Sequence, residues 1–421
     1  MPCCVEAIER PFGNLDRLSF RVLPSFSPMR QTLICTVGTS LFWPNLKTLP
    51  TPDRYADWLQ KQPSDDQPHF TPTAIAALKA AFDRADWVDL ALHLSQLPPT
   101  LRLCGAEINS IADLLQRGYA AANAAILFCH SDTPDGEAIA TLLTHYYQAL
   151  GHAAAHHRVE DLQDTDPKAF RTNGLRNLVK QMSQLLYTRG SEYCAINATG
   201  GYKAQIAIAV LLGQALRVPV YYKHERFSEI IAFPPMPISL DLDLWVAHNG
   251  WLTALGRDAH EQILWEPLQQ EWSESLETLV EREEIDGKLY ITLSPTGQIF
   301  YEAFKERLLP AMTLQLPPPV PPEQKSKPQM SSHNWGNARG TIARYLQRIT
   351  DVCPYVVGCR TFYWNPELPN LNQFRLQGEN LEGTLSDRTW TVGFAIDTSS
   401  TTPGELRACL LDLNQRIGKD F

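Results

Sequence analysis

Apolar positions along this chain recur in two spacings, and their alternation outlines the fold. Short, nearly continuous apolar runs sit in Thr32–Leu41, at Ile126–Cys129 and at Tyr193–Ile196. Stretches with helical spacing follow the later two, one over Glu137–Leu150 and one opening with Lys203 in its first turn. Runs of the first kind predict buried strands and those of the second amphipathic helices; their alternation predicts a parallel α/β sheet. Each apolar run ends in a polar, glycine-bearing loop: Gly38-Thr39-Ser40, then His130-Ser131-Asp132-Thr133-Pro134-Asp135-Gly136, then Asn197-Ala198-Thr199-Gly200-Gly201.

In open parallel sheets ligands bind in the crevice beyond the carboxyl ends of the strands. Adjacent glycines let the backbone turn sharply and approach a ligand, and the N–H groups of a new helix plus Lys203 suit an anion such as phosphate. The stretch is neither a Walker A loop nor G-x-G-x-x-G. Any one of these loops is equally compatible with an ordinary β–α turn whose hydroxyls cap a helix. The three together point to one phosphate-bearing ligand.

Further along, the pattern changes. Residues 257–307 carry twelve acidic against five basic side chains, seven of the chain's nine net negative charges. They read as a helix over Glu261–Leu279, a turn at Asp286-Gly287, a strand over Lys288–Leu293 and a helix over Gln298–Leu308. A DNA-reading module needs a basic face to neutralise phosphates, so this segment reads as a structural connector, a dimerisation element or a dock for a basic protein. Leu316–Pro328 has six prolines in thirteen residues and predicts an extended, semi-rigid linker. Ser331–Phe421 is then a compact terminal domain: a helix (Ala338–Thr350), strands near Gly358–Trp364, Gln373–Gln377, Leu381–Leu385 and Arg388–Ile396, and a helix (Pro403–Ile417). The boundaries drawn are 1–30 for an N-terminal extension, 31–245 for the α/β domain, 246–312 for the connector, 313–330 for the linker and 331–421 for the terminal domain.

With 44% hydrophobic and 20% charged residues in 421, the chain has the make-up of a soluble globular protein. Nothing in it reads as a secretory signal or a membrane span. Nine cysteines fall in no zinc spacing, and Cys35, Cys129 and Cys194 lie in apolar strand runs. A cytoplasmic, disulfide-free protein without a metal site is expected, with no membrane or DNA partner.

The terminal domain's chemistry is narrowed by what it lacks. It has no histidine after His333, so no cysteine there has a downstream histidine, and its carboxylates are scattered. What remains is arginine interleaved with aromatics, side chains that bind phosphates and stack on unpaired bases.

Thr36-Val37-Gly38-Thr39-Ser40-Leu41, Gly105-Ala106-Glu107-Ile108-Asn109-Ser110, His130-Ser131-Asp132-Thr133, Asn197-Ala198-Thr199-Gly200-Gly201-Tyr202-Lys203 and Val220-Tyr221-Tyr222-Lys223 resemble the CRISPR-associated Rossmann fold (CARF) family, in the branch accompanying type III CRISPR systems. The resemblance spans Gln31 to Asp241. It implies a homodimer that binds a cyclic oligoadenylate, cyclic tetraadenylate foremost, across its two-fold axis, with no other cofactor and with Gly38, Thr39, Ser40, Ser131, Asp132, Thr133, Asn197, Thr199, Gly200, Gly201 and Lys203 as candidate contacts. The connector resembles the winged helix-turn-helix that follows such domains. The HEPN ribonuclease often attached to this sensor is excluded, because its Arg-and-His signature is missing. The terminal domain is similar instead to RelE toxins, ribonucleases that cut messenger RNA on the ribosome without metal. That resemblance makes Arg375, Arg388, Tyr363 and Arg360 the candidate catalytic residues.

The expected architecture is therefore a Rossmann-like α/β sensor, a winged-helix connector and a small α+β RelE-like domain. The expected function is a cyclic-oligoadenylate-activated endoribonuclease, with ribosome and messenger RNA as partners. Two alternatives stay open: a ring nuclease that cleaves the messenger ring in the sensor, and a non-enzymatic regulator.

Overall fold

The structure is a computed structural model that describes residues 29–224, 227, 229–257, 261–367, 370–387 and 389–418. The expected N-terminal extension (apart from its last two residues) and Arg388 lie outside the described residues.

Five parallel strands, β1 (Thr32–Thr36), β2 (Ala125–Ser131), β3 (Ala154–Val159), β4 (Cys194–Asn197) and β5 (Val220–Lys223), form a sheet that the antiparallel β6 (Ile230–Phe233) closes at one edge. Their order is β3-β2-β1-β4-β5-β6. The chain builds outward from β1 to β3, then crosses to the far side of β1 to lay down β4, so the topological switch point lies between β1 and β4. Leu33 and Cys35 enter one apolar layer and Ile34 the other, as the two-residue period of a strand buried on both faces requires. Helices α1 (Pro72–Asp83), α2 (Trp87–Leu94), α3 (Gly105–Gln116) and α4 (Pro134–Ala149) cover the first layer. The second is covered by α5 (Leu175–Arg189) and α6 (Lys203–Leu216). The Rossmann-like expectation holds for this sheet.

The connector departs from its expected pattern. Residues 261–279 do not form one helix: they give the short strand β7 (Ile263–Leu264), a 3-10 turn at Glu266–Glu271 and a single α-turn at Glu274–Glu277. Pro267 explains the break, since it has no N–H to donate and its ring crowds the preceding turn. Val280–Ile285, unforeseen as a strand, is β8 and pairs with β9 (Lys288–Leu293) in a hairpin turned by Asp286 and Gly287, both at positive φ. Before the three strands in the sequence lies α7 (Asn249–Arg257), and after them α8 (Pro295–Ala303). The hairpin's acidic side chains do not simply face solvent. Glu281 meets Arg171 at 3.0 Å, Glu283 pairs with Lys168, and Arg282 lies 4.1 Å over the Trp265 ring.

The proline-rich segment is held against the terminal domain. Val320 N–H donates to Pro354 O, Ser326 N–H to Val357 O, and the Lys325 ammonium to the Thr350 and Cys353 carbonyls. The terminal domain consists of α9 (Arg339–Val352), strands β10 (Val356–Asn365), β11 (Gln373–Gln377), β12 (Asn380–Ser386) and β13 (Thr391–Thr398), and α10 (Pro403–Arg416). Its antiparallel sheet runs β10-β13-β12-β11. The last strand starts three residues later than expected, because Asp387 Oδ1 accepts from the N–H groups of Thr389 and Trp390 and fixes a turn there. Trp245, at the last position of the α/β domain as drawn, and Trp251 and Phe304 of the connector share one apolar cluster with Leu346, Phe394 and Leu413 of the terminal domain. Among the described residues, no helix is long and apolar enough to cross a membrane.

Candidate functional site

Loops after β2, β1, β4 and β5 line up along the carboxyl edge of the large sheet. At the switch point the β1 and β4 loops are in direct contact. A Cβ on Gly38 would lie 2.5 Å from Gly201 N, and one on Gly200 would lie 2.7 Å from both Gly38 N and Thr36 O. Thr36 Oγ1 donates to Gly200 O. These glycines are therefore required by the approach of one loop to the other, before any ligand arrives.

What they make room for is Glu107, a buried carboxylate on α3 that sequence reasoning passed over. Glu107 Oε1 accepts from Gly38 N–H at 2.7 Å, Oε2 faces Ser40 Oγ at 3.4 Å, and a Cβ on Gly200 would sit 2.2 Å from Oε1. Burial raises the Glu107 pKa, and the bonds from Gly38 and Ser40 only partly offset it. The signal lay in Gly105–Ser110, where a Glu stands at an otherwise apolar helix position. On the β4 side, Asn197 donates to Ser110 Oγ at 2.8 Å. Thr199 Oγ1 donates to Asn197 Oδ1 at 2.6 Å and accepts from Lys223 N–H at 3.1 Å. Gly201 has φ near +101°, and the Gln205 side chain folds back to accept from Tyr202 N–H. Lys203 is exposed at the start of α6.

A cleft of about 480 Å³ opens beside these loops, lined by Ser40, Gly105, Ala106, Asn109, Arg102, Lys223 and neighbouring side chains. Of the residues singled out from sequence as contacts, Ser40 lines it directly, whereas Arg102, Asn109 and Lys223 were not among them. Lys223 is anchored by Asp113 at 2.9 Å; burial works to raise the Asp113 pKa, but the bonds from Lys223 and Arg117 outweigh it and hold the group below its ordinary value. Ser131, Asp132 and Thr133 stand apart, on the β2 side. Ser131 Oγ and Thr133 Oγ1 lie 2.9 Å apart, Thr133 caps α4 through Gly136 N–H, and Asp132 meets Arg158 at 3.6 Å. Ser131 is the last residue of β2 rather than part of a loop.

In the terminal domain, Arg360 on β10, Ala395, Glu382 and Arg375 on β11 form one cross-strand row. Tyr363 stands in the next row on the same face, opposite Gly393. The structure thus gathers Arg360, Tyr363 and Arg375 on one face but spreads them. Three strand spacings, roughly 14 Å, separate the two arginines. Arg360 is exposed and engages Asp397 at 3.2 Å, and Arg375 stands opposite Glu382. Tyr363 is 43% exposed. All seven described cysteines are buried and unpaired; burial pushes Cys359 and Cys409 up to about 12, so neither is a poised thiolate. Among the described residues, one group of imidazole and carboxylate side chains converges closely enough to hold a cation: His130, Glu137 and His156.

A parallel α/β sheet wound both ways from β1, with a polar crevice at its switch point, is consistent with a Rossmann-like fold. Residues 102–236 match the family model described as CRISPR-associated protein (Cas_APE2256), which supports a CRISPR-associated protein. The match runs from the turn before α3 past β6. It takes in Glu107 and the loops after β2, β4 and β5, leaving β1 outside. No curated protein matches the chain.

Proposed function

We propose that the protein is a signal-gated CRISPR effector. In this reading two copies pair across a two-fold axis, bind one cyclic oligoadenylate, cyclic tetraadenylate foremost, and release the activity of the terminal domain. The observation that carries it is the pair of loops after β1 and β4, packed together at the switch point beside a cleft of about 480 Å³. Single ligand clefts run to about 300–1,000 Å³. Two such clefts facing across a dyad suit a ring of four adenylates, which has the same two-fold symmetry. Lys223 and the first N–H groups of α6 beside Lys203 offer donors to phosphate, whereas the Asn109 amide donates to the Pro99 and Leu101 carbonyls.

The terminal domain is read as a metal-independent, RelE-like endoribonuclease acting on messenger RNA at the ribosome. Support comes from the open sheet face that holds Arg360, Tyr363 and Arg375. Exposed ion pairs such as Arg360–Asp397 are worth about 0–1 kcal/mol, so an RNA phosphate can replace the carboxylate. A polar route joins the two ends. Arg176 on α5, fully buried, donates to Leu255 O at 3.0 Å and Thr292 Oγ1 at 2.6 Å in the connector. Arg257 donates to Asn414 O at 2.6 Å, and Asn414 donates to Phe374 O, next to Arg375.

The test is messenger integrity in a translating extract with the full chain, with and without cyclic tetraadenylate. Ring-dependent cleavage that disappears in the Arg375→Ala and Tyr363→Phe double variant is expected. Intact RNA at saturating ring contradicts the ribonuclease reading.

A further inference from the structure

We propose that His130, Glu137 and His156 form a site for one divalent transition metal of the zinc class, pinning β2, β3 and the first turn of α4 beneath the Ser131-Asp132-Thr133 segment. The three groups come from three elements. His130 and His156 are on the adjacent strands β2 and β3, their rings 5.5 Å apart, and Glu137 is in the first turn of α4. Their ligand atoms all lie within 4.8 Å of one another.

Hydrogen bonding decides the tautomers. His130 Nδ1 lies 2.9 Å from Ser131 O, and a carbonyl only accepts, so Nδ1 carries the proton and Nε2 presents a lone pair. His156 Nδ1 lies 3.0 Å from Thr144 Oγ1, which spends its own proton on Ala140 O at 2.8 Å. Nδ1 of His156 is therefore also the donor, and its Nε2 is also a lone pair. Outer-shell oxygens that hold one ring nitrogen as N–H so that the other can ligate are the usual support of a metal-bound histidine.

Both lone pairs face the same carboxylate, an arrangement that repels unless a cation sits between them. His130 Nε2 is 3.4 Å from Glu137 Oε2, and His156 Nε2 is 3.5 Å from Oε1. A tetrahedral ion with bonds of about 2.0–2.1 Å sets its ligands roughly 3.3–3.4 Å apart, close to these separations. Independently of that spacing, His130 is 1% exposed at its side chain, and its Nε2 has no hydrogen-bond partner. A buried polar atom without a partner calls for an explanation, and an ion supplies one. Glu137, 54% exposed, and His156, 28% exposed, leave a path from solvent and a fourth position for water. Two imidazoles and a carboxylate favour zinc over magnesium or calcium, which take oxygen ligands. The role assigned is positioning: the ion fixes the start of α4 and the end of β2.

The full chain, stripped with a chelator, is titrated with zinc sulfate against a chromophoric competitor and, separately, with cobalt(II). One zinc per chain is expected, with the visible absorption of tetrahedral cobalt. Amide exchange over residues 130–140 should slow when zinc is added. Glu137→Gln is the primary variant, since its side chain is half exposed and the core stays intact; it and His156→Ala should each weaken zinc on the order of 100-fold. Failure to retain zinc, which leaves a shared proton as the only bridging cation, overturns the proposal. So does zinc held equally tightly by both variants. Ring binding is read separately, so failure here and failure of the sensor reading are distinguishable.

Discussion

The carboxyl edge of the large sheet and the open face of the small one are both polar, yet they are built on different principles. At the large sheet, polar groups converge from β1, α3, β4 and β5, and they support one another. Glu107 holds the Gly38 N–H, Ser110 holds Asn197, and Thr199 holds the Lys223 N–H. At the small sheet, Arg360, Tyr363 and Arg375 stand in rows on one face, each at the distance the ladder dictates, with carboxylates as partners or neighbours. The first arrangement is preorganised and does not tolerate added volume. The second is a surface whose ion pairs can be exchanged. Under the proposed function, binding specificity would belong to the first, and chemistry on the second would require RNA to bring the groups into register.

The largest effect that sharpens this contrast is expected from Gly200→Ala. Its Cβ would land 2.2 Å from Glu107 Oε1 and 2.7 Å from two backbone atoms, so the β1 and β4 loops must part. Overpacking of this kind costs about 1–3 kcal/mol, and ring affinity should fall with it. Urea unfolding and calorimetric titration measure the two effects.

A middle-sized effect concerns Glu107. Its folded pKa is raised above the ordinary value of 4.5 by burial. The folded state therefore holds its proton to higher pH than the unfolded chain does. The resulting stability is present at low pH and is lost as pH rises from the unfolded value through the raised folded one. Glu107→Gln keeps an acceptor for Gly38 N–H and removes the ionisation. Relative to wild type it should gain stability between acid and neutral pH, as read by unfolding midpoints across that range.

The smallest effect is expected at the other sheet. Arg360→Ala removes an exposed ion pair and should shift stability by no more than about 0.5 kcal/mol. If the ribonuclease reading is right, it nevertheless slows RNA cleavage at least tenfold; an unchanged cleavage rate removes Arg360 from that role.

Much of this was legible in the sequence, for identifiable reasons. The strands and helices of the terminal domain follow from local alternation and turn residues, so Gln373–Gln377 falls where the pattern puts it. The turn before Lys203 and the parallel α/β alternation follow from glycine placement and strand runs, whereas the order of the strands came only from the structure. Glu107 left a signal, a carboxylate on an apolar helix face, but its role was not legible, because only the Gly38 N–H that it meets in the fold explains it. His130, Glu137 and His156 match no ligand spacing; only the pairing of β2 with β3 brings them together. The connector helix was misread because a helical pattern of leucines and glutamates outweighed Pro267. The proline-rich segment reads as a semi-rigid spacer, but its hydrogen bonds to the edge of β10, from Ser326 N–H to Val357 O and Gln329 N–H to Cys359 O, are long-range and leave no trace in composition.

The most direct test of the central claim is titration calorimetry of the full chain with cyclic tetraadenylate, beside the exposed-site variant Lys203→Ala. The account predicts one ring bound per two chains, with affinity about tenfold weaker in the variant from loss of a charge-assisted hydrogen bond and no change in its unfolding midpoint. No heat with rings of any size, or equal binding by wild type and variant at one ring per single chain, would contradict it.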